Sequence, residues 1–309
     1  MELGLSDLAS LGLLVLSIVM LTRGADSFVE SAARIARRLN ISELVIGLTL
    51  VSFGTSAPEL AVSVGAALTG RDAISVSNIV GSNIFNLGII LGLCGCLVVV
   101  QASKKLVWRD MTFLIGVSCG LFAALSDGVL ERWEGVVMLS LLVGYLTFLV
   151  KSKEEFHVDN GTKPATWRDG PKLFAGLALI LVGAHFLVES ASVLARSFGV
   201  SEWVIGLTIV AAGTSAPELV TALSAIRKGR HGISAGALVG SDIYNVLGVL
   251  GTAAVITPLN IEASALPSVG LMLGATVLVW IFFRTGWSIG RREGIILVLV
   301  GLFRWYYYI

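Results

Sequence analysis

The sequence predicts an all-α integral membrane protein, with ten transmembrane helices arranged as two inverted five-helix repeats. Three observations carry this. Hydrophobic residues make up 55% of the 309 positions and charged residues only 14%, with a mean hydropathy of +0.88; a soluble domain carries about 25% charged residues. Residues 73–103, 243–261 and 263–283 run without a single charge, and a spanning helix needs only about 20 apolar residues. The second half of the chain also matches the first at an offset of 159 positions.

In chain order, charged clusters cut the apolar sequence into spans. The first covers 7–36 and stops at Arg37 and Arg38, and 42–70 stops at Arg71. The third, 74–101, precedes Lys104 and Lys105; 110–127 and 134–150 follow, the latter closed by Lys151. After a polar stretch come 171–197, 201–227, 232–257, 263–283 and 288–306. This gives a first repeat at 1–150, a cytoplasmic linker at 151–172 and a second repeat at 173–309. The linker is too short to be a soluble catalytic unit. Glu2 and Asp7 stand where a cleaved signal peptide would carry positive charge, so the first span reads as a retained helix.

Basic residues set the orientation. With the N-terminus outside, 17 of the 22 Lys and Arg fall on inner loops, among them Arg34, Arg109, Arg227, Lys228 and Arg284. Only an even number of spans keeps this alternation, so both termini are expected to be extracellular in the cell membrane. Trp305, Tyr306, Tyr307 and Tyr308 would anchor the outer interface, and Trp108, Trp167 and Trp287 the inner one.

Several functions are excluded. The net charge of +1 offers no field for nucleic acid. Cys94, Cys96 and Cys119 lie in apolar stretches without metal-ligand spacing and read as buried thiols. There is no HExxH, and His157, His185 and His231 stand far apart, which argues against an intramembrane enzyme. The lipid bilayer is the expected partner; nothing calls for a cofactor or an obligate protein partner.

The repeat is densest where it is polar. SELVIGLTLVSFGTSAPELAVSVGAALTGR at 42–71 and SEWVIGLTIVAAGTSAPELVTALSAIRKGR at 201–230 share 18 of 30 positions. VGSNIFN at 80–86 matches VGSDIYN at 239–245. Five spans per half is odd, so the second copy enters the membrane from the opposite side, an architecture of many secondary transporters.

Glu59 and Glu218 fall in the middle of the second and seventh spans, where a charge costs about 2.5–3.5 kcal/mol on the insertion scale. No Lys or Arg sits at matching depth in either repeat, so a bound cation is the simplest compensation. Gly54 and Pro58, and likewise Gly213 and Pro217, should break each span beside its acid. Freed carbonyls and the hydroxyls of Thr55, Ser56, Thr214 and Ser215 are hard oxygen ligands, suited to Ca²⁺ and Na⁺. The same Ser-Ala-Pro-Glu segments also read as capping boxes, and the two roles are compatible. Ser82 with Asn86, and Ser241 with Asn245, share one helix face at i, i+4 and add neutral oxygens; interhelical hydrogen bonding is the other role open to them.

Two GTSAPE segments, each followed by GSN/D-x-x-N, resemble the alpha-repeats of the cation/calcium antiporter superfamily, and within it the prokaryotic sodium/calcium exchangers. The resemblance spans essentially the whole chain. It implies that Glu59 and Glu218 are shared Ca²⁺/Na⁺ carboxylates, that Thr55, Ser56, Thr214, Ser215, Ser82, Ser241, Asn86 and Asn245 complete the sites, and that carbonyls near Ser52 and Ala211 line the ion path. The GNAAE-like sequence of proton/calcium exchangers is absent. Potassium-dependent relatives carry Asp where Asn245 stands, so potassium co-transport is not expected. Asp242 replaces the residue matching Asn83, and it points either at the site or at the neighbouring helix.

The implied activity is antiport of Na⁺ against Ca²⁺ by alternating access, with protons as competitors for the acids. The first and sixth spans, with Glu30 matching Glu189, resemble a mobile pair that slides past the site. His185, matching Asp26, is expected to make a polar contact lining the bundle rather than to serve as a proton relay. A proton-coupled Ca²⁺ exchanger and a cation channel are the rival readings; the two non-identical halves and broken midplane helices argue for a carrier.

Overall fold

The computed structural model describes residues 5–152, 165–201, 205, 208–209, 211–261 and 265–308. Helix α1 (Leu5–Leu39) ends with Arg37 and Arg38 beside its negative C-terminus. Ser42 starts α2 (Glu43–Thr55), its Oγ accepting the Val45 N–H at 3.2 Å. α3 (Ala57–Leu68) carries Pro58 in its first turn, and the chain turns at Gly70, where φ is +70°. α4 (Asp72–Leu97) and α5 (Leu106–Asp127) follow. α6 (Arg132–Lys151) opens on a capping box in which the Glu131 N–H donates to Glu134 Oε2 at 2.8 Å. The second half contains α7 (Asp169–Ser197), α8 (Ala211–Thr214), α9 (Ala216–Arg227), α10 (His231–Ile256), α11 (Leu266–Gly286) and α12 (Arg291–Tyr308).

The protein is an all-α, multi-pass membrane protein. Seven of the described helices are long and apolar enough to cross a bilayer, and α2 with α3, bent by 49° at their junction, makes an eighth broken span. The stretch before α8 is described only in part. α12 holds Arg291, Arg292, Glu293 and Arg304 within 18 residues, which dilutes its apolar character. Residues 153–164, the greater part of the expected linker, lie outside the described residues, as do the side chains of the expected anchor Trp305–Tyr308.

Four two-residue strands clasp the loops. β1 (Val100–Gln101) pairs antiparallel with β4 (Ser288–Ile289), and β2 (Val129–Leu130) pairs with β3 (Leu259–Asn260). The two clasps repeat the 159-residue offset: Val100 faces Ile289, and Leu259 faces Leu130.

Helices meet through small residues, as membrane interiors require. α1 and α7 lie antiparallel along each other, so close that a Cβ on Gly24 would come within 2.8 Å of the Gly176 carbonyl. α10 packs on α2 just as tightly: a Cβ on Gly240 would sit 2.7 Å from the Leu48 Cα. α4 and α10 are the most buried long helices, and each carries a π-helical turn, at Phe85–Ile90 and Asn245–Leu250. Such turns re-aim side chains and occur often at functional sites.

The two halves differ in how they are covered. α1 packs along α9, and Thr221 there is fully buried. Val62, the matching residue of α3, is 40% exposed, because α7 makes no comparable packing on α3. Polar contacts hold α1 in place. Ser224 Oγ donates to Asp26 Oδ1 at 2.6 Å, and Lys228 Nζ lies 3.6 Å from Asp26 and 4.0 Å from Glu30. Arg34 pairs with Glu30 and, at 3.3 Å, with Asp169 of α7. The positions matching Ser224 and Lys228 are Gly65 and Thr69, which carry no charge.

Candidate functional site

Both GTSAPE segments break their helices. α2 stops at Thr55 and α3 starts at Ala57; α8 stops at Thr214 and α9 starts at Ala216. Ser56 and Ser215 occupy the junctions with ψ near 9°. Pro58 and Pro217 bring no N–H to the carbonyls of Gly54 and Gly213, so each helix must restart rather than continue.

The restart places Glu59 and Glu218 in the first turns of α3 and α9, 0% and 2% exposed. The two carboxylates are near enough for their charges to interact, and among the described residues no Lys or Arg acts on either. The partners are exchanged between halves. Ser56 Oγ donates to Glu218 Oε1 at 3.4 Å, and Ser215 Oγ donates to Glu59 Oε1 at 3.2 Å. This corrects the capping reading: neither serine caps its own helix. Each reaches across instead, because the ψ near 9° at the junction carries its hydroxyl away from its own N-terminal amides.

Helices α4 and α10 complete the layer. Ser82 Oγ donates to Glu59 Oε1 at 3.4 Å and Ser241 Oγ to Glu218 Oε1 at 3.5 Å. Thr55 Oγ1 lies 3.4 Å from Ser241 Oγ, and Thr55 also reaches Glu218. Thr214 ends α8 at the matching place. Ser52 is buried, and its carbonyl accepts the Ser56 N–H at 3.0 Å. Ala211 is described only as the backbone that opens α8.

Asn86 and Asn245, both fully buried, bond across the halves. Asn86 Nδ2 donates to Asp242 Oδ1 and Asn245 Nδ2 to Asn83 Oδ1, each at 3.0 Å. Asp242 therefore faces the neighbouring helix with one oxygen. Among the carboxylates and amides of this layer, five oxygens remain unpartnered: Glu59 Oε2, Glu218 Oε2, Asn86 Oδ1, Asn245 Oδ1 and Asp242 Oδ2. A buried polar atom without a partner costs about 1–3 kcal/mol, and five acceptors with no donor between them match the needs of a hard cation. No group of three or more His, Cys, Asp or Glu arranged to hold a metal occurs among the described residues; of the five oxygens, three belong to carboxylates and two to amides. Sequence reasoning did not place Asn83 here; its match to Asp242 at the 159-residue offset was the available signal.

Residues 9–151 and 172–307 match the family described as sodium/calcium exchanger protein. The chain belongs to this family. The exchanger is 35% identical over 305 residues to inner membrane protein YrbG of Escherichia coli, covering 94% of both chains. It is 31% identical to the sodium/calcium exchanger MaX1 of Methanosarcina acetivorans, covering 93% of this chain and 95% of the relative. A solved structure of the sodium-calcium exchanger NCX_Mj, soaked with 2.5 mM Na⁺ and 10 mM Sr²⁺, superposes with a TM-score of 0.86 at 31% identity, over 96% of this chain and 98% of that one.

The helix pair expected to move is the antiparallel α1 and α7 of this exchanger. His185 corrects the sequence reading: its side chain is 75% exposed and stands 3.8 Å from Glu189 on the same helix, outside the bundle. The membership is that of a transporter, and the exchanger is not an enzyme.

Proposed function

We propose that this exchanger carries Na⁺ and Ca²⁺ in opposite directions across the cell membrane, by alternating access to a midplane site built on Glu59 and Glu218. The proposed ligands are those two carboxylates, the amide oxygens of Asn86 and Asn245, the hydroxyls of Thr55, Ser56, Ser82, Thr214, Ser215 and Ser241, and carbonyls at Ser52 and Ala211. Asp242 supplies a third acid beside them. One observation carries the reading: two buried carboxylates each take a hydroxyl from the opposite half's helix break, each with one oxygen unpartnered and, among the described residues, with no base acting on it.

The physics couples the fluxes. Two carboxylates about 5 Å apart repel by about 3 kcal/mol at an effective dielectric of 20. Such a pair needs a cation. Ca²⁺, which takes about six to eight oxygens, and several Na⁺ use the same acids and so exclude one another. A filled site has its charge balanced and can be buried; an empty one resists closure.

The proposed frame is ten spans with both termini outside, in two inverted halves at 1–150 and 173–309 joined by a cytoplasmic linker at 151–172. On that orientation Arg227 and Lys228 lie inside, and the cover of α9 by α1 closes the inner side. The exposed face of α3, at Val62, then opens the path outward. Proteoliposomes loaded with Na⁺ and diluted into Na⁺-free buffer at clamped pH should accumulate ⁴⁵Ca²⁺. No uptake under a Na⁺ gradient, with uptake under a proton gradient, would overturn the sodium coupling.

A further inference from the structure

The two candidate ligand asparagines turn their nitrogens to protein acceptors and leave their amide oxygens unpartnered. An amide can be turned either way, and its hydrogen-bond partners decide which end faces where. Something must fix both.

The fixed points converge on one residue. Asp242 is fully buried in α10. Its carboxylate accepts from Asn86 Nδ2 at 3.0 Å, and its main-chain carbonyl accepts from Asn83 Nδ2 at 3.1 Å. With its nitrogen held there, Asn83 can offer only Oδ1 on its other side, and Asn245 Nδ2 donates to that oxygen at 3.0 Å. A main-chain carbonyl accepts and never donates, and Asp242 Oδ1 is the atom that accepts from Asn86. The order of the amides is therefore set from Asp242 outward, and it leaves Asn86 Oδ1 and Asn245 Oδ1 without a protein partner. An asparagine at 242 could donate as well as accept, and would permit Asn86 to turn its amide over.

We propose that Asp242 is a positioning residue that holds Asn86 and Asn245 with their oxygens toward the cation, the first through its carboxylate and the second through its main-chain carbonyl and Asn83. This rests on the two-glutamate site described above. Its role is geometric: the acid is needed at 242 because only an acceptor there locks the neighbouring amide.

The test separates geometry from charge. In Na⁺-driven ⁴⁵Ca²⁺ uptake, Asp242→Asn should raise the KM for Ca²⁺ about tenfold with little change in maximal rate, the scale of a hydrogen bond to a charged group. Adding Asn86→Asp to that variant should restore KM, since a carboxylate at 86 offers oxygen whichever way it turns. Adding Asn83→Asp instead returns the same charge to the neighbourhood but no acceptor to Asn86, and should not restore it. An unchanged KM in Asp242→Asn, or equal rescue by both second substitutions, would overturn the proposal. Orientation is also read without transport. In the full-length protein labelled with ¹⁵N-asparagine, the side-chain NH₂ groups of Asn86 and Asn245 should exchange slowly, and that of Asn86 should become fast in Asp242→Leu. Fast exchange at both in the native protein would refute the positioning. Absent uptake by a native protein whose amides exchange slowly would refute the transport reading alone.

Discussion

Replacing Glu59 by Gln keeps the shape of the side chain and removes its charge. The structure assigns this change two opposite effects. Glu59 is fully buried, and the side chains that donate to it are the hydroxyls of Ser215 and Ser82. Removing one partner of a buried charge interaction costs about 3–5 kcal/mol, so the affinity for Ca²⁺ should fall by about two to four orders of magnitude at about 1.4 kcal/mol per decade. Without cation, the same change removes the repulsion that Glu218 exerts on Glu59, which for a pair of charges about 5 Å apart at an effective dielectric of 20 is about 3 kcal/mol. The ion-free variant should therefore unfold at a higher temperature than the ion-free native protein, by a few degrees. Two measurements at pH 8 decide it: ⁴⁵Ca²⁺ uptake into proteoliposomes, and tryptophan-fluorescence melting in chelator. Native uptake in Glu59→Gln, or a clear drop in its ion-free melting temperature, would refute the paired-acid argument.

Joining α1 to α9 should stop exchange if α1 must move. Asp26→Cys with Ser224→Cys places thiols where Ser224 Oγ now meets Asp26 Oδ1 at 2.6 Å, and oxidation should abolish uptake while reduction restores it; undiminished flux in the oxidised pair would exclude sliding. Lowering the pH from 8 to 5.5 should inhibit, because a proton on either glutamate removes the charge that holds the cation. The inhibition should recede as Ca²⁺ is raised, and a flat profile would count against shared acids. Potassium on either side should leave Na⁺-driven uptake unchanged, as the neutral Asn245 implies; a requirement for K⁺ would show that Asp242 takes over that role.

The legible part of this molecule was the part written twice. Glu59 and Glu218 stood out because an offset of 159 brings each onto the other, and Pro58 and Pro217 announced the breaks beside them. Ser56 was harder to read. Its spacing to Glu59 is that of a cap, and its actual partner, Glu218, lies 162 residues away; no local pattern carries such a contact. His185 misled for a related reason. A polar residue in an apolar span suggests an inward face, yet its ring sits outside with Glu189, four residues on. The π-helical turns carry no periodic signal either, because one extra residue shifts the helical phase only where tertiary packing holds it.

The short strands have a consequence for motion. β1 with β4 and β2 with β3 lace the loops around α4, α5, α6, α10, α11 and α12 into a ring buttoned at both rims, while among the described residues no strand fastens α1 and α7. On the proposed sliding of α1 and α7, a protein built this way would have a chassis and a shuttle. Substitutions that retune its turnover should therefore fall along the glycine-lined seam of the shuttle, and those that loosen the buttons should cost rigidity before they cost speed.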